Sequence, residues 1–566
     1  MMGASPAHAK AARAGYLDSL SHHGALFSPT LSRLALRGIK LRAPESIPIH
    51  VVRNAPVEYV FGTVGPFLGV SGATAVVSYS AYDDTLTALA PGDASLIVVW
   101  LDYDRYSSRH DPSFPAWLVG RLAHLRKSTS APMLVVGSDL DEPGRASLNA
   151  RLEQLTDHIP GLTVVDPGVT HSVARSSAVT QSRLSGERAL ELSRLLGAQW
   201  IPALLQRTVR MVVVDLDNTL YGGTLGEDGL DGIVVSPDHR MVLGQLAELA
   251  RRGVLLAIAS KNDPRDVDDL LLSGALSPLR PDDFVSVLAS WQPKPDALLE
   301  LLRLTRLGAS ATLFVDDNPG ELLAASMALP DLHLVHAISA VHTAGALSWY
   351  PGLWRPSVSK EDLGRSADLR ANLARASATS SDPAQYLAEL EAEVQIDTSP
   401  TVAVRRISEL SNKTNQFNTN LRRLTETDVA RRLSDPDAFV VTVSLADRLS
   451  DSGLIALVSG DLQDETIVVD EVAVSCRALG RGVEDFFLQL SFDLMIERFK
   501  ADGVLILSTQ GPRNEPAHAW LRRNATPSGL GWRWSRRPEL DALRSSITVT
   551  VDSDSDGEMG VARGEC

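Results

Sequence analysis

Residues 211–219 read Met-Val-Val-Val-Asp-Leu-Asp-Asn-Thr. The apolar run Val212–Val214 is typical of a buried strand, and Asp215 and Asp217 follow it directly. In a parallel α/β sheet, side chains at the carboxyl ends of the strands project into the crevice where ligands bind. One carboxylate can attack phosphorus and form an aspartyl-phosphate, while the other can protonate the leaving oxygen and then activate water. The pattern therefore predicts phosphate chemistry at this strand end.

Two carboxylates so close together repel each other unless a cation lies between them, which predicts Mg²⁺ as the cofactor. A second apolar run, Leu313–Val315, leads into Asp316 and Asp317, whose hard oxygens also suit Mg²⁺. We therefore predict a metal site built from the carboxylates of Asp215, Asp217, Asp316 and Asp317.

Three further side chains are predicted to hold the phosphate. Thr219 lies two residues beyond Asp217, and Ser260 follows the apolar run Ala257–Ala259. Lys294 opens a predicted helix and supplies a cation that offsets phosphate and carboxylate charge, so we also assign it to the catalytic group. The alternative, surface charges and a simple turn, is disfavoured because three of the four elements directly follow apolar strand runs.

The segment between Thr219 and Ser260 contains no long insertion. It begins with the glycine-rich run Tyr-Gly-Gly-Thr-Leu-Gly-Glu-Asp-Gly, residues 221–229. Such a run predicts a small mobile flap instead of a cap domain. A site without a cap can admit a bulky or protein-tethered substrate.

The rest of the chain divides into segments that differ in the spacing of their apolar runs. We predict an α/β multidomain fold whose parts have the following bounds. They are a helical N-terminal extension (1–45), an α/β domain (46–205), a Rossmann-like phosphatase domain (206–350), a linker (351–385), an α+β domain (386–545) and a disordered acidic tail (546–566). The first α/β domain has no Gly-Asp-Ser nucleophile turn, and Gly137-Ser138-Asp139 is a weak substitute.

Composition restricts the class of protein. The chain has 566 residues, a formal net charge of −15 and two cysteines. The acidic balance argues against a general nucleic-acid binder, which needs clustered positive charge. No long apolar run predicts a membrane span, and the low cysteine count suits a reducing, cytoplasmic compartment.

A second candidate site follows the predicted strand 467–474. Cys476 lies between that strand and a predicted helix, beside Arg477 and Arg481, and this setting favours the nucleophilic thiolate. Gly480 and Gly482 expose backbone N–H groups that could bind a phosphate or pyrophosphate together with Arg477. The alternative for Cys476 is a small buried hydrophobe, the usual fate of a free cysteine.

These segments together resemble the FkbH-like proteins, glyceryl transferases of the haloacid dehalogenase (HAD) superfamily from polyketide pathways. The resemblance covers about residues 50–530. It is carried by the segments 215–229, 260–263, 291–294, 314–319, 411–418, 475–484 and 513–514. The loop 477–482 is also similar to the Arg/Gln-x-x-Gly-x-Gly loop of the GNAT acyltransferase fold, and the N-terminal domain resembles a degenerate SGNH hydrolase.

The resemblance implies an enzyme with two functions. It would take 1,3-bisphosphoglycerate, remove phosphate and load the glyceryl group onto the pantetheine thiol of an acyl carrier protein. Asp215 and Asp217 would serve the phosphate chemistry with Mg²⁺, and Cys476 would hold the glyceryl group as a thioester. Asn418 would belong to the acyl pocket.

The chain departs from the family pattern after Asn418, where it reads Thr-Asn-Leu before Arg422 and Arg423, and at Tyr221, where tryptophan is usual. Two other functions remain open from the sequence. One is a phosphatase fused to an acyl-CoA-dependent N-acyltransferase, which needs no nucleophilic cysteine. The other is a non-catalytic scaffold for a biosynthetic assembly.

Overall fold

The fold was analysed in a computed structural model of the chain. It describes residues 20–552 apart from residues 42, 88–91, 158, 170–183, 206–207, 357, 359–368, 370–386, 389, 401–402, 449, 476–477, 480–482 and 530. The chain divides into two compact units, Met1–Val358 and Ser359–Cys566. Each unit has its own hydrophobic clusters.

The first sheet of unit 1 is parallel and has the order β2-β1-β3-β4-β5. Its strands are β1 (Glu45–Arg53), β2 (Ala73–Tyr82), β3 (Leu96–Trp100), β4 (Met133–Val136) and β5 (Leu162–Val165). Ser138, just beyond β4, is fully buried. Its backbone N–H donates to Oδ1 of Asn149, and Nδ2 of Asn149 donates to its carbonyl. Its hydroxyl is therefore unsuited to act as a nucleophile.

The second sheet of unit 1 is also parallel and has the order β10-β9-β6-β7-β8. Its strands are β6 (Met211–Val214), β7 (Leu255–Ser260), β8 (Phe284–Ala289), β9 (Thr312–Asp316) and β10 (His333–His336). Every residue of β6, β7 and β9 is buried, because helices cover both faces of the sheet. The central position of β6 places the end of that strand between those of β7 and β9.

Helices connect the strands of both sheets. Around the first sheet they are Glu58–Phe61, Gly65–Gly69, Phe114–Arg126, Arg145–Thr156, Gly186–Arg194 with the π-helical stretch Leu195–Trp200, and Ile201–Leu204. The helix Arg33–Arg37 precedes β1, and its Leu36 packs in the hydrophobic cluster of the second sheet. Around the second sheet they are Leu225–Gly232, Pro237–Arg251, Pro264–Ser273, Lys294–Thr305, Pro319–Ala328 and Ala340–Trp349.

Unit 2 contains a mixed eight-stranded sheet of order β16-β17-β15-β14-β13-β12-β11-β18. Its strands are β11 (Glu393–Asp397), β12 (Ala438–Asp447), β13 (Ser450–Gln463), β14 (Thr466–Val474), β15 (Gly503–Leu507), β16 (Ala525–Ser528), β17 (Gly531–Trp534) and β18 (Thr548–Asp552). Its helices are Val404–Lys413, Glu426–Leu433, Glu484–Phe499 and Glu515–Asn524. Two hydrophobic clusters fill this unit.

The predicted multidomain α/β architecture with parallel sheets is confirmed, and three details of the sequence analysis change. Residues 548–552, assigned to a disordered tail, form β18, because alternating Thr and Val pair with β11 in parallel. Leu353, assigned to the linker, packs in the core of the second sheet. Strand β8 was not predicted at all. Residues 553–566 lie outside the described residues.

Within the part of the chain that is described, no helix is long and apolar enough to cross a membrane.

Candidate active site

Residues of the predicted phosphate site lie together at the carboxyl edge of the second sheet. Asp215 directly follows β6, Ser260 is the last residue of β7, and Asp316 is the last residue of β9. The backbone N–H of Asp215 donates to the carbonyl of Val315, which aligns the ends of β6 and β9. Side chains that are 45 and 101 positions apart in the sequence are thereby brought to one edge, as the strand-end argument predicts.

The ammonium group of Lys294 links two of the buried carboxylates. Its Nζ lies 2.8 Å from Oδ1 of Asp215 and 2.5 Å from Oδ2 of Asp316. All three side chains are almost completely buried, at 5%, 7% and 0% exposure respectively. Lys294 is the first residue of its helix, so the helix start fixes the position of its side chain. Lys294 therefore supplies the predicted positive charge. Its ammonium group contacts two buried carboxylates and does not face solvent.

The electrostatics of the site favour a bound cation. Burial raises the pKa of Asp215 to about 6 against the attraction of Lys294, and Asp316 adds to the rise. Burial also raises the pKa values of Asp316 and Asp317 above their ordinary range. Burial opposes a charge on Lys294, but Asp215 and Asp316 outweigh it and raise the pKa of the lysine. One ammonium therefore faces three carboxylates, and the group retains excess negative charge.

Three of these carboxylates can hold a metal ion. One oxygen each from Asp215, Asp316 and Asp317 lies within 4.8 Å of the other two. Hard carboxylate oxygens are the donors that Mg²⁺ prefers. The backbone N–H of Asn318 donates to Oδ1 of Asp316 at 2.8 Å, and His336 Nε2 donates to the carbonyl of Asp317 at 2.9 Å. The donor set and its excess charge fit Mg²⁺.

The carboxylate of Asp217, also predicted to bind the metal ion, is not part of the group formed by Asp215, Asp316 and Asp317. Its Oδ1 accepts hydrogen bonds from the hydroxyl of Tyr221 at 2.7 Å and the backbone N–H of Leu225 at 2.9 Å. Its Oδ2 accepts from the amide of Asn262 at 2.9 Å. Two of these donors belong to the flap, and the third lies in the loop that follows β7. Its predicted acid–base role is compatible with this placement.

Asn262 is a site residue that sequence reasoning did not assign. Its side chain is 1% exposed, and its Nδ2 also lies 2.9 Å from Oγ of Ser260. Asn262 therefore connects the predicted acid–base residue with a predicted phosphate ligand. Its position two residues after a strand end was the available signal.

Thr219 is buried beside these groups, at 1% exposure. Its Oγ1 has no hydrogen-bond partner among the described residues. A buried hydroxyl without a partner costs free energy, so it is a candidate to bind a ligand oxygen.

The flap is compact, as the sequence predicts, and no further domain lies between Thr219 and Ser260. Gly222 and Val234 exchange two backbone hydrogen bonds, which closes the segment Tyr221–Val234 at its base. The short helix Leu225–Gly232 lies between them and is interrupted at Gly229, whose φ is 67°.

The second predicted site is described only in part. Cys476, Arg477, Gly480 and Gly482 lie outside the described residues, so their predicted roles stay predictions. Strand β14 ends two residues before Cys476, and the helix Glu484–Phe499 begins shortly after Gly482.

Asn418, predicted to line the acyl pocket, is instead fully buried. Its Nδ2 donates to Oε1 of Glu471 at 2.5 Å and to the carbonyl of Ser411 at 3.5 Å. Its Oδ1 accepts from the backbone N–H groups of Asn420 and Leu421. All its hydrogen-bonding capacity is used within the unit. Asn418 therefore shapes the surrounding segment and has no group left to bind a substrate.

The segment Phe417–Asn420 lies along the free edge of β14. Strands β14 and β15 pair only from Thr466–Gly503 to Val469–Ile506. Beyond that point Thr419 exchanges hydrogen bonds with Val472, and the N–H of Val474 donates to Phe417. The chain's own segment thus occupies the backbone groups that an extended ligand would otherwise use.

The site can be set beside known proteins. No protein-family model matches the chain, and no curated protein matches it. Among solved structures, one match is the N-terminal part of the protein BF1531 from Bacteroides fragilis, which contains a phosphatase domain and is complexed with Mg. It is 15% identical, covers 59% of this chain and 98% of its own, and has a TM-score of 0.42.

Two further matches each cover about a quarter of this chain. A probable YrbI family phosphatase from Pseudomonas syringae is 17% identical, covers 27% of this chain and 92% of its own, and has a TM-score of 0.18. A spermidine N-acetyltransferase from Vibrio cholerae is 13% identical, covers 24% of this chain and 81% of its own, and has a TM-score of 0.19. At these values the function must be argued from the site itself.

Proposed function

We propose that the chain is an enzyme of the FkbH-like HAD type, with a Mg²⁺-dependent phosphatase centre in unit 1 and a cysteine-based acyl transfer centre in unit 2. Its substrate would be 1,3-bisphosphoglycerate, and its acceptor the pantetheine thiol of an acyl carrier protein. The observation that carries the proposal is the buried Lys294, which lies between Asp215 and Asp316 at the carboxyl edge of a parallel sheet.

The residues divide the phosphatase chemistry between them. Asp215, at the end of β6, attacks the phosphorus of a phosphate ester, and the ester oxygen leaves. Asp217 donates a proton to that oxygen and then takes a proton from the water that hydrolyses the aspartyl-phosphate. Lys294, Ser260 and Thr219 hold the phosphoryl oxygens or offset their charge. Mg²⁺, held by Asp215, Asp316 and Asp317, would neutralise phosphoryl charge and orient the group.

The transfer chemistry is assigned to Cys476. An acyl phosphate is already activated, so the thiolate can attack its carbonyl carbon and expel inorganic phosphate, which leaves a thioester. The carrier protein's thiol then attacks that thioester and regenerates the cysteine. The remaining phosphate ester of the glyceryl group is a substrate for the centre in unit 1. Both centres are thus needed to produce an unphosphorylated glyceryl thioester.

The alternative of an acyl-CoA-dependent N-acyltransferase is less well supported. Coenzyme thioesters are extended ligands that could add to an open strand edge. In unit 2 the segment Phe417–Asn420 already fills the edge of β14 beyond Val469. A non-catalytic scaffold has no need of a buried lysine shared by two carboxylates, since such a group costs free energy to bury.

Phosphate release from simple phosphate esters tests the phosphatase half. We expect hydrolysis that requires Mg²⁺ and is lost by at least 100-fold in Asp215→Asn, which keeps the shape of the side chain but removes the nucleophile. Hydrolysis that continues in Asp215→Asn, or that is unaffected by a chelator, would contradict this half of the proposal.

A further inference from the structure

Four polar groups around Asp217 form one connected set. Asp217 Oδ1 accepts hydrogen bonds from the hydroxyl of Tyr221 and the backbone N–H of Leu225, while Oδ2 accepts one from the amide of Asn262. The same amide nitrogen reaches Oγ of Ser260. Two of these donors come from the flap and one from the loop after β7, so the carboxylate is held from two sides.

The count of hydrogen bonds distinguishes the two oxygens of Asp217. A carboxylate oxygen accepts about two hydrogen bonds in its plane. Oδ1 already accepts two, from Tyr221 and Leu225. From the residues that the structure describes, Oδ2 accepts one, from Asn262, which leaves it capacity for a second. A proton on Oδ1 would have to displace one of its two donors, whereas a proton on Oδ2 would not.

Tyr221 is suited to hold its position permanently. The ring is fully buried, so it cannot turn toward solvent. Burial raises the pKa of Tyr221 well above its ordinary value, and hydrogen bonding to Asp217 raises it further. The hydroxyl therefore stays protonated and donates over the whole working range of pH.

We propose that Tyr221 and Asn262 are positioning residues that fix Asp217 so that Oδ2 is the oxygen that transfers the proton. In the forward step the proton on Oδ2 goes to the leaving oxygen as the bond from that oxygen to phosphorus breaks. In the second step Oδ2 takes a proton from the attacking water. The amide of Asn262 also donates to Ser260, which leaves the serine hydrogen free to point at a phosphoryl oxygen. This inference rests on the proposed phosphatase function.

The dependence of kcat/KM on the leaving group distinguishes a loss of proton transfer from a nonspecific loss of activity. A poor leaving group, such as an alkyl alcohol, needs a proton in the transition state, whereas 2,4-dinitrophenolate and the carboxylate of acetyl phosphate do not. The value of kcat/KM reports phosphoryl transfer to the enzyme. We would measure it for glycerol phosphate, 2,4-dinitrophenyl phosphate and acetyl phosphate in wild type, Tyr221→Phe and Asn262→Ala, all with Mg²⁺.

We expect Tyr221→Phe to lower kcat/KM on the order of tenfold for glycerol phosphate and less than about twofold for the two substrates with good leaving groups. Asn262→Ala should show the same selectivity, with an added loss on every substrate because Ser260 loses its orienting donor. Tyr350→Phe is the matched control, because it removes another buried tyrosine hydroxyl, one that contacts His333. It should leave all three values unchanged.

Two results would overturn the inference in different ways. If Tyr221→Phe loses activity equally on all three substrates, or on none, then proton transfer does not depend on Tyr221, while the phosphatase function stands. If the folded wild-type protein hydrolyses none of the substrates with Mg²⁺, the proposed function itself fails and the inference fails with it. Thermal unfolding of the variants beside Tyr350→Phe shows whether the fold is intact.

Discussion

At the residue scale, the arrangement around Lys294 combines one buried cation with three carboxylates. Without a metal ion this group carries excess negative charge at a place where Asp215 and Asp316 are buried. Such an arrangement is unfavourable for stability, and proteins retain it where function requires it. The raised pKa of Asp215 has the same cause, because burial disfavours the ionised form of that carboxyl.

Asp215→Asn is therefore expected to stabilise the metal-free protein at neutral pH. The folded-state pKa is raised from 3.8 to about 6, so the folded wild type loses stability as pH rises through that interval. The variant should therefore be more stable than the wild type above pH 6. Its advantage should vanish near pH 4, where Asp215 is protonated in the folded wild type. Denaturant unfolding with a chelator at pH 4 and 7.5 measures this; a variant less stable at pH 7.5 would contradict it.

Replacing Lys294 should have the opposite effect. Lys294→Met keeps the length of the side chain but leaves Asp215 and Asp316 without their buried counter-charge. Removing one partner of a buried ion pair typically costs about 3–5 kcal/mol. We expect a loss of this size without metal and a partial recovery on addition of Mg²⁺, measured as the change in Tm. Equal stability with and without Lys294 would mean that the ion pairs do not form.

The sequence was sufficient for part of this site and not for the rest. Asp215, Ser260 and Asp316 could be placed because each follows an apolar run, and strand ends of one parallel sheet share an edge. The environment of Asp217 could not be predicted, because it depends on Asn262 and on the conformation of the flap. Asn418 was placed in a binding pocket, whereas its burial follows from a pairing with Glu471, a residue 53 positions away.

At the element scale, the second sheet depends on close packing between a helix and the N-terminal segment. The helix Ala340–Trp349 contacts Phe27 so closely that a methyl group on Gly345 would lie 2.4 Å from the carbonyl oxygen of Phe27. A contact that short cannot be accommodated without moving the backbone.

Gly345→Ala is therefore expected to destabilise unit 1 by about 1–3 kcal/mol through overpacking. The matched control is Gly244→Ala in the helix Pro237–Arg251, where an added methyl group meets nothing within 4 Å. That variant should gain about 0.5–1 kcal/mol from helix propensity. Denaturant unfolding compares the two. Effects of the same sign would show that the packing against Phe27 is not as tight as described.

The elements themselves were predicted with uneven success, for physical reasons. Strand β6 could be predicted because the run Met211–Val214 is fully apolar and lies between Arg210 and Asp215. Strand β8 (Phe284–Ala289) was missed although five of its six residues are apolar, because Ser286 divides the apolar run into two short pieces. Strand β18 has the alternating Thr and Val of a strand, but it was assigned to the tail because acidic and serine residues follow it directly.

At the scale of the whole molecule, the two units are independent in their cores. The hydrophobic clusters of the two parallel sheets contain residues from 26 to 353, while those of the eight-stranded sheet contain residues from 387 to 547. Separate cores of this size are what allow domains to fold alone.

A protein ending at Val358 should accordingly fold and keep Mg²⁺-dependent hydrolysis of phosphate esters within about threefold of the full chain. It should have lost transfer to a carrier protein, which requires Cys476. Calorimetric unfolding of the truncated protein tests whether it folds, and phosphate release tests whether it keeps hydrolysis. A truncated protein that folds but has no hydrolytic activity would show that unit 2 contributes to the phosphatase centre.

The most direct measurement is the intact mass of the protein after incubation with 1,3-bisphosphoglycerate and Mg²⁺. We predict a glyceryl-sized adduct on wild type that disappears when a pantetheinylated carrier protein is added. Cys476→Ala should carry no adduct, and Asp215→Asn should retain a heavier, phosphorylated one. Phosphate release without an adduct on wild type would contradict the account, because Cys476 would then have no part in the reaction.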